Sequence, residues 1–200
     1  MRILLACETS NITSNEFRKL GHYVLSCDIL PNDESQVNHY KGNVLDIIND
    51  DWDMMIAHPP CTYLCNSGVH WLNKKAGRWD DMKNGADFFK QLLNANIPKI
   101  CIENPISHKY AIEIIGRKYD QIIQPWMFGD GETKATCLWL KGLKKLYYTK
   151  ETNLFWEKTV SDGRDNRIAR MFPSENRWKE RSKTFKGIAM AFANQWGAEL

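Results

Sequence analysis

The chain has 200 residues, 43% of them hydrophobic and 26% charged, and a formal net charge of +3 at pH 7. This length and composition fit one globular domain with a sizeable core and exclude a disordered or fibrous chain. The opening MRILLACETS has too short an apolar run for a signal-peptide core, and no run approaches the roughly 18 apolar residues of a membrane span. A soluble, cytoplasmic protein is expected.

Apolar runs alternate with helical stretches, the pattern of a parallel sheet with crossover helices. Residues 2–7 read as a buried strand, followed by a polar turn and a helix to about Leu20, with Gly21 as its stop. A second strand covers 23–29 and carries Asp28 near its end. A polar loop runs from Pro31 to Tyr40, and Gly42-Asn43-Val44 follows. Residues 52–57 form a third strand, which runs into His58-Pro59-Pro60, where two prolines forbid a continued central strand. Residues 80–94 make the best helix, with Met82, Ala86, Phe89 and Leu93 on one face. A strand at 99–102 is halted by Glu103-Asn104-Pro105. A helix over 110–115 and strands over 121–124 and 136–140 complete the regular part. An irregular insertion spans about 142–183, and 185–196 closes the domain as an amphipathic helix.

Of the six cysteines, Cys7, Cys27, Cys101 and Cys137 lie in apolar runs, where the free thiol behaves as a small core residue. Cys61 and Cys65 lie in a turn-rich loop. Charge is uneven: from Arg164 to Lys186 eight Lys/Arg stand against three acids. Arg164, Arg167, Arg177 and Arg181, interleaved with Phe172 and Trp178, suit a phosphate backbone and stacked bases; a solvated surface loop accounts for them equally well.

Glu8, Asp28, Asn43, His58–Cys61 and Glu103 all fall just past the carboxyl end of an expected strand. In an open parallel sheet those ends share one edge, where ligands bind. The most specific feature is the Pro-Pro-Cys turn after a buried strand, which holds the backbone stiff and presents the Cys61 thiol at that edge, as a nucleophile requires. The second is Ile102-Glu103-Asn104-Pro105, whose carboxyl could protonate or hydrogen-bond a ring nitrogen while Cys61 adds to the ring.

Strand-Pro-Pro-Cys followed about 40 residues later by strand-Glu-Asn resembles the nucleophile and glutamate motifs of the cytosine-5 DNA methyltransferases, and in particular their small, often phage-borne members. The resemblance implies an α/β, Rossmann-like S-adenosylmethionine-dependent methyltransferase fold, a mostly parallel sheet with helices on both faces. It implies Cys61 and Glu103 as catalytic residues, with Lys134 helping to seat the base. It places S-adenosylmethionine against Glu8, Thr9 and Ser10 of the first loop, with Asp28 taking the ribose hydroxyls and Asn43 the adenine. The partner would be DNA, single-stranded or duplex, or a cytosine nucleotide. The sequence departs from the family at the first loop, Cys7-Glu8-Thr9-Ser10-Asn11, which lacks glycine; Asn43 stands for an aspartate and Lys134 for an arginine, and a target-recognition domain is nearly absent.

Two other readings stay open on the residues alone: a non-catalytic nucleic-acid or nucleotide-binding protein on the same fold, and a related enzyme modifying another pyrimidine. His58-x2-Cys61-x3-Cys65-x4-His70 loosely resembles a zinc knuckle, but its spacing matches no standard finger, and no metal is expected. The remaining histidines read as surface residues.

Overall fold

The computed structural model describes residues 1–34, 38–148, 172 and 181–198. The apolar runs become strands β1 (Arg2–Ala6), β2 (Tyr23–Asp28), β3 (His39–Lys41), β4 (Met54–Ala57), β5 (Lys99–Pro105), β6 (Gln121–Ile123) and β7 (Thr136–Lys141). The helical stretches become α1 (Ile12–Lys19), α2 (Arg78–Leu93), α3 (Lys109–Ile115) and α4 (Lys186–Phe192), the last continuing as a π-helical turn over Ala193–Gly197. Seven strands form one sheet in the order β3-β2-β1-β4-β5-β7-β6. The pairs from β3 to β5 are parallel, whereas β7 runs antiparallel to both of its neighbours.

Alternation along the strands divides the core into two layers, because successive side chains point to opposite faces. Leu4, Ala6, Met55, Ala57, Ile100 and Ile102 pack with Met82, Ala86 and Phe89 of α2 and with Ala111 and Ile115 of α3. Ile3, Leu5, Met54, Ile56 and Cys101 pack on the other face with Phe17 of α1 and Ile188 and Phe192 of α4. Trp139 anchors the first layer, edge-on to Phe89 at 4.9 Å. Trp196 anchors the second, stacked on Phe192 at 4.7 Å. Each side chain of this size, fully buried, contributes about 2–3 kcal/mol.

Three expectations need correction. The polar loop before Gly42 contains β3, a three-residue edge strand paired with β2; His-Tyr-Lys is too short to show periodicity. The strand expected to stop at Ile102 continues through Glu103, Asn104 and Pro105, paired with Leu138, Cys137 and Thr136 of β7. Pro105 is tolerated because the β4 pairing ends at Ile102, so from there β5 is an edge on that side and a missing N–H can face away from the ladder. His108 is a buried residue rather than a surface one. Of the basic insertion, Arg164, Arg167 and Arg177 lie outside the described residues. Among the described residues no helix is long and apolar enough to cross a membrane.

Connections run outward in opposite directions from β1 and β4, the central parallel pair. Their carboxyl ends therefore open a crevice at the topological switch point, the position where sheets of this kind bind ligands.

Candidate active site

The first half of the rim is built by β1, β2 and β3. After Ala6 the chain turns through Cys7 and Asn11, both with positive φ (59° and 55°), the left-handed region that usually selects glycine. The loop thus takes a glycine-like path with other side chains. Asn11 is completely buried, tied by a reciprocal amide pair to Asn32, which offsets the cost of that conformation. Glu8 is buried as well. Its Oε1 accepts from the Thr13 N–H at 2.9 Å, and its Oε2 accepts from the Ser14 N–H at 3.3 Å and from the Ser14 hydroxyl. The carboxylate thereby caps α1, satisfying two of the donors a helix start leaves free. Thr9 accepts from the Asp33 N–H through its carbonyl, and Ser10 Oγ lies 3.4 Å from the Ile12 N–H. Asp28 ends β2, its Oδ1 accepting from the Leu30 N–H at 2.8 Å. Asn43 caps the short turn after β3 and is exposed.

The second half is built by β4, β5 and β7. Beyond β4, the His58 N–H donates to Ala6 carbonyl at 2.9 Å, so the ladder outlasts the strand by one residue. Pro59 and Pro60 then turn the chain, and Cys61 follows half-buried. Its loop is clamped from behind. Asn104, nearly fully buried, donates to the Pro59 carbonyl at 2.7 Å; His108 donates through its N–H to the Leu64 carbonyl at 2.9 Å, and its Nε2 lies 3.0 Å from the Tyr63 carbonyl; Cys65 bridges Ser107.

Register brings His58 and Glu103 together. Ile56 pairs with Cys101 and Ala57 with Ile102, so the next residues, His58 and Glu103, stand side by side on one face. Their side chains meet at 2.9 Å, Nδ1 to Oε2, with 9% and 12% of each exposed. Burial works to raise the Glu103 carboxyl, but the His58 hydrogen bond and charge, with Lys134 and Thr136, hold it below its ordinary value. Burial likewise works to lower the His58 imidazole, and the bond to Glu103 and its charge overcome this and raise it. Because β7 is antiparallel, the residues that precede it return to this same rim. Lys134 lies there, its ammonium donating to the Arg181 carbonyl at 2.9 Å. The site therefore reaches Arg181, the described one of the four arginines Arg164, Arg167, Arg177 and Arg181.

Cys61 and Cys65 stand one turn apart, with the Cys65 N–H donating to the Cys61 carbonyl at 3.1 Å. Hydrogen bonding with Cys65, and then burial, push the Cys61 thiol up. Cys65 is drawn down to about 5 by the Cys61 thiol, against burial, with help from the Ser67 hydroxyl and the Gly68 amide. His70 lies against the Trp71 ring, and among the described residues no three His, Cys, Asp or Glu side chains are grouped as a metal requires.

Cys61, Glu103 and Lys134 are thus brought to one end of the rim, Glu8, Asp28 and Asn43 to the other, with the β1–β4 crevice between. The strand order, with its antiparallel β7 inserted beside β5, decides the architecture. This is a Rossmann-like methyltransferase fold. The sequence matches no family model and no curated protein. Among solved structures the methyltransferase fold of this chain is similar to an E. coli prophage protein assigned as a DNA modification methyltransferase, with 16% identity, a TM-score of 0.46, and coverage of 76% of this chain and 49% of the other. It is similar to the methyltransferase EhMeth of Entamoeba histolytica at 14% identity and TM-score 0.49, over 75% and 57% of the two chains. It is similar to the S. pombe Dnmt2 methyltransferase at 15% identity and TM-score 0.42, over 100% and 66%. The chain spans about half the length of the first two.

Sequence reasoning missed three residues that build this site. His58 stood beside the Pro-Pro-Cys turn without a partner in sequence, and only parallel register supplies Glu103. Asn104 stood beside Glu103 in its motif with no role of its own, and His108 read as surface. For the last, the signal was present: a histidine directly before a helical run is placed to cap it, and Nδ1 of His108 accepts from the Ala111 N–H at 3.1 Å.

Proposed function

We propose that this chain is an S-adenosylmethionine-dependent methyltransferase acting on carbon 5 of cytosine in DNA through a covalent bond to Cys61. The observation that carries the reading is the meeting of a clamped cysteine after β4, a hydrogen-bonded carboxylate on β5 and a lysine before β7 beside the switch-point crevice.

The residues fit the cofactor. Asp28 offers a carboxylate at the end of β2 for ribose hydroxyls, Asn43 is exposed at the end of β3, and Glu8, Thr9 and Ser10 shape the loop between. S-adenosylmethionine, bound there, supplies the methyl group. The remaining chemistry belongs to the chain. Cys61 gives its thiol proton to water and, as the thiolate, adds to carbon 6 of the ring, which makes carbon 5 nucleophilic. Glu103 accepts from the amino group beside the ring nitrogen and so orients the ring, and Lys134 adds a cation near by as charge moves onto the ring. After methylation the proton at carbon 5 passes to water, the ring double bond re-forms and the Cys61 thiolate leaves, taking up a proton again. In a duplex the base has to leave the stack, at a cost single-stranded DNA or a free nucleotide avoids. Arg164, Arg167, Arg177 and Arg181 hold the phosphates in this reading.

The test uses 5-fluorocytosine, which cannot release its carbon-5 substituent as a proton and so traps the adduct. Intact-protein mass spectrometry with single-stranded, duplex and nucleotide substrates should show a stable complex that needs S-adenosylmethionine and disappears in Cys61→Ser. No adduct with any substrate, or one mapped to Cys65, overturns the mechanism.

A further inference from the structure

Of the polar groups behind the reaction centre, His58 is the one the proposed chemistry leaves without a part. Its ring is nearly buried between strand ends, Nδ1 is 2.9 Å from Glu103 Oε2, and Nε2 is buried with no hydrogen-bond partner among the described residues. One bond therefore orients the ring, and the same bond fixes the carboxylate. The charged groups around it come from three elements: Glu103 on β5, Glu8 after β1 and Lys134 before β7. Glu103 is in contact, and its negative charge is what an imidazolium here offsets.

The geometry points to His58 as a positioning residue of the reaction: it fixes Glu103 on the rim and, as an imidazolium, balances that carboxylate while the thiolate's charge passes onto the ring. The inference rests on the cytosine-adduct reading above. Its physical need is direct. When Cys61 adds to carbon 6, one negative charge moves from sulfur to the ring, beside an ionised carboxylate. In a site this poorly solvated, two like charges in contact are costly. A cation bonded to the far oxygen of Glu103 leaves the near oxygen free to accept from the exocyclic amino N–H of the ring and lowers the repulsion. No proton leaves His58 in this step. The nitrogen keeps its hydrogen whether the ring is charged or neutral, so alignment survives at high pH and the charge balance does not.

The experiment has two arms. In the first, the His58 imidazole is titrated by NMR in wild type and Glu103→Gln. The wild-type ring should titrate above its ordinary value, and Glu103→Gln should bring it down; the same titration in both proteins overturns the pairing. In the second, the rate of 5-fluorocytosine adduct formation is followed against pH in wild type, His58→Gln and His58→Phe, with folding checked by thermal denaturation. The wild-type rate should rise with pH as Cys61 ionises and level off where His58 loses its charge, and His58→Gln, which has a donor but no charge to lose, should go on rising without that break. His58→Phe should be slower by about 10–100-fold, the scale of a misplaced catalytic group. A folded His58→Phe with wild-type rate and pH profile overturns the role and leaves the cytosine reading standing. No adduct from wild type overturns that reading and the role together, while the titration still decides the pairing.

Discussion

Asn104 and Pro59 are 45 residues apart in sequence, yet the Asn104 side-chain amide donates to the Pro59 carbonyl across 2.7 Å. The bond fastens the glutamate strand to the turn that carries the nucleophile, so Cys61 and Glu103 move as one piece. Asn104→Ala should cost about 1–3 kcal/mol, because it strips a buried carbonyl of its partner. Urea denaturation measures that loss. Adduct formation should slow by more than the loss of folded protein explains.

The His58–Glu103 pair sets a pH window for stability. Glu103 has its folded value below the ordinary 4.5, so its stabilisation is present above that value and is lost as pH falls through the folded one. His58 has its folded value above the ordinary 6.5, so its stabilisation is full below 6.5 and is lost as pH rises through the folded one. The difference in unfolding free energy between wild type and Glu103→Gln should peak between these limits and shrink on either side.

Cys65 has no part in the proposed chemistry, yet it stands against Cys61. Removing it in Cys65→Ala takes away the main cause that raises the Cys61 thiol. Wild type treated with iodoacetamide near neutral pH should be modified first at Cys65. In Cys65→Ala, Cys61 should react at lower pH than it does in wild type. Peptide mapping of the alkylated protein distinguishes the sites.

Helix α4 closes onto the segment before β7 at Gly187. A Cβ there would lie 2.0 Å from the Phe128 carbonyl oxygen and 2.7 Å from Asp130 Oδ2, the oxygen that accepts from the Gly187 N–H at 2.9 Å. Backbone cannot yield that distance, so Gly187→Ala should displace α4 and lower the melting temperature sharply, by well over the few degrees of an average surface change. Met190→Ala, on an exposed residue of α4 itself, serves as the control.

Cofactor binding should be visible as linkage. S-adenosylmethionine should raise the melting temperature of wild type, and Asp28→Ala should reduce the rise. Glu8→Ala should differ in kind: it uncaps α1, so the unliganded protein itself should melt earlier, by about 1 kcal/mol of stability.

The strands were legible because a buried parallel sheet needs continuous apolar runs, and the residues of β1, β2, β4, β5 and β7 supply them. Cys61 and Glu103 were legible because prolines and polar residues interrupt those runs at the strand ends. What sequence did not show depended on pairing. β3 exists as a strand through its bonds to β2. Glu103 stays inside a strand because β7 arrives beside it, from the opposite direction. His58 finds its partner by register, which no local pattern encodes. The glycine-free loop illustrates the opposite limit: Cys7 and Asn11 take the backbone that glycine would have announced.

The capping of α1 by Glu8 also bears on which ligands the crevice can refuse. A helix start beside a strand end is the standard seat for a pyrophosphate, held by free N–H groups and a positive dipole. Here a carboxylate already occupies it, buried and bonded to the Thr13 and Ser14 amides. A dinucleotide would bring its phosphates against that fixed anion with no donors left to receive them. On the proposed reading, a sulfonium ligand brings a positive charge and no phosphate, so the same carboxylate that shapes the loop would sort one class of adenosine cofactor from another.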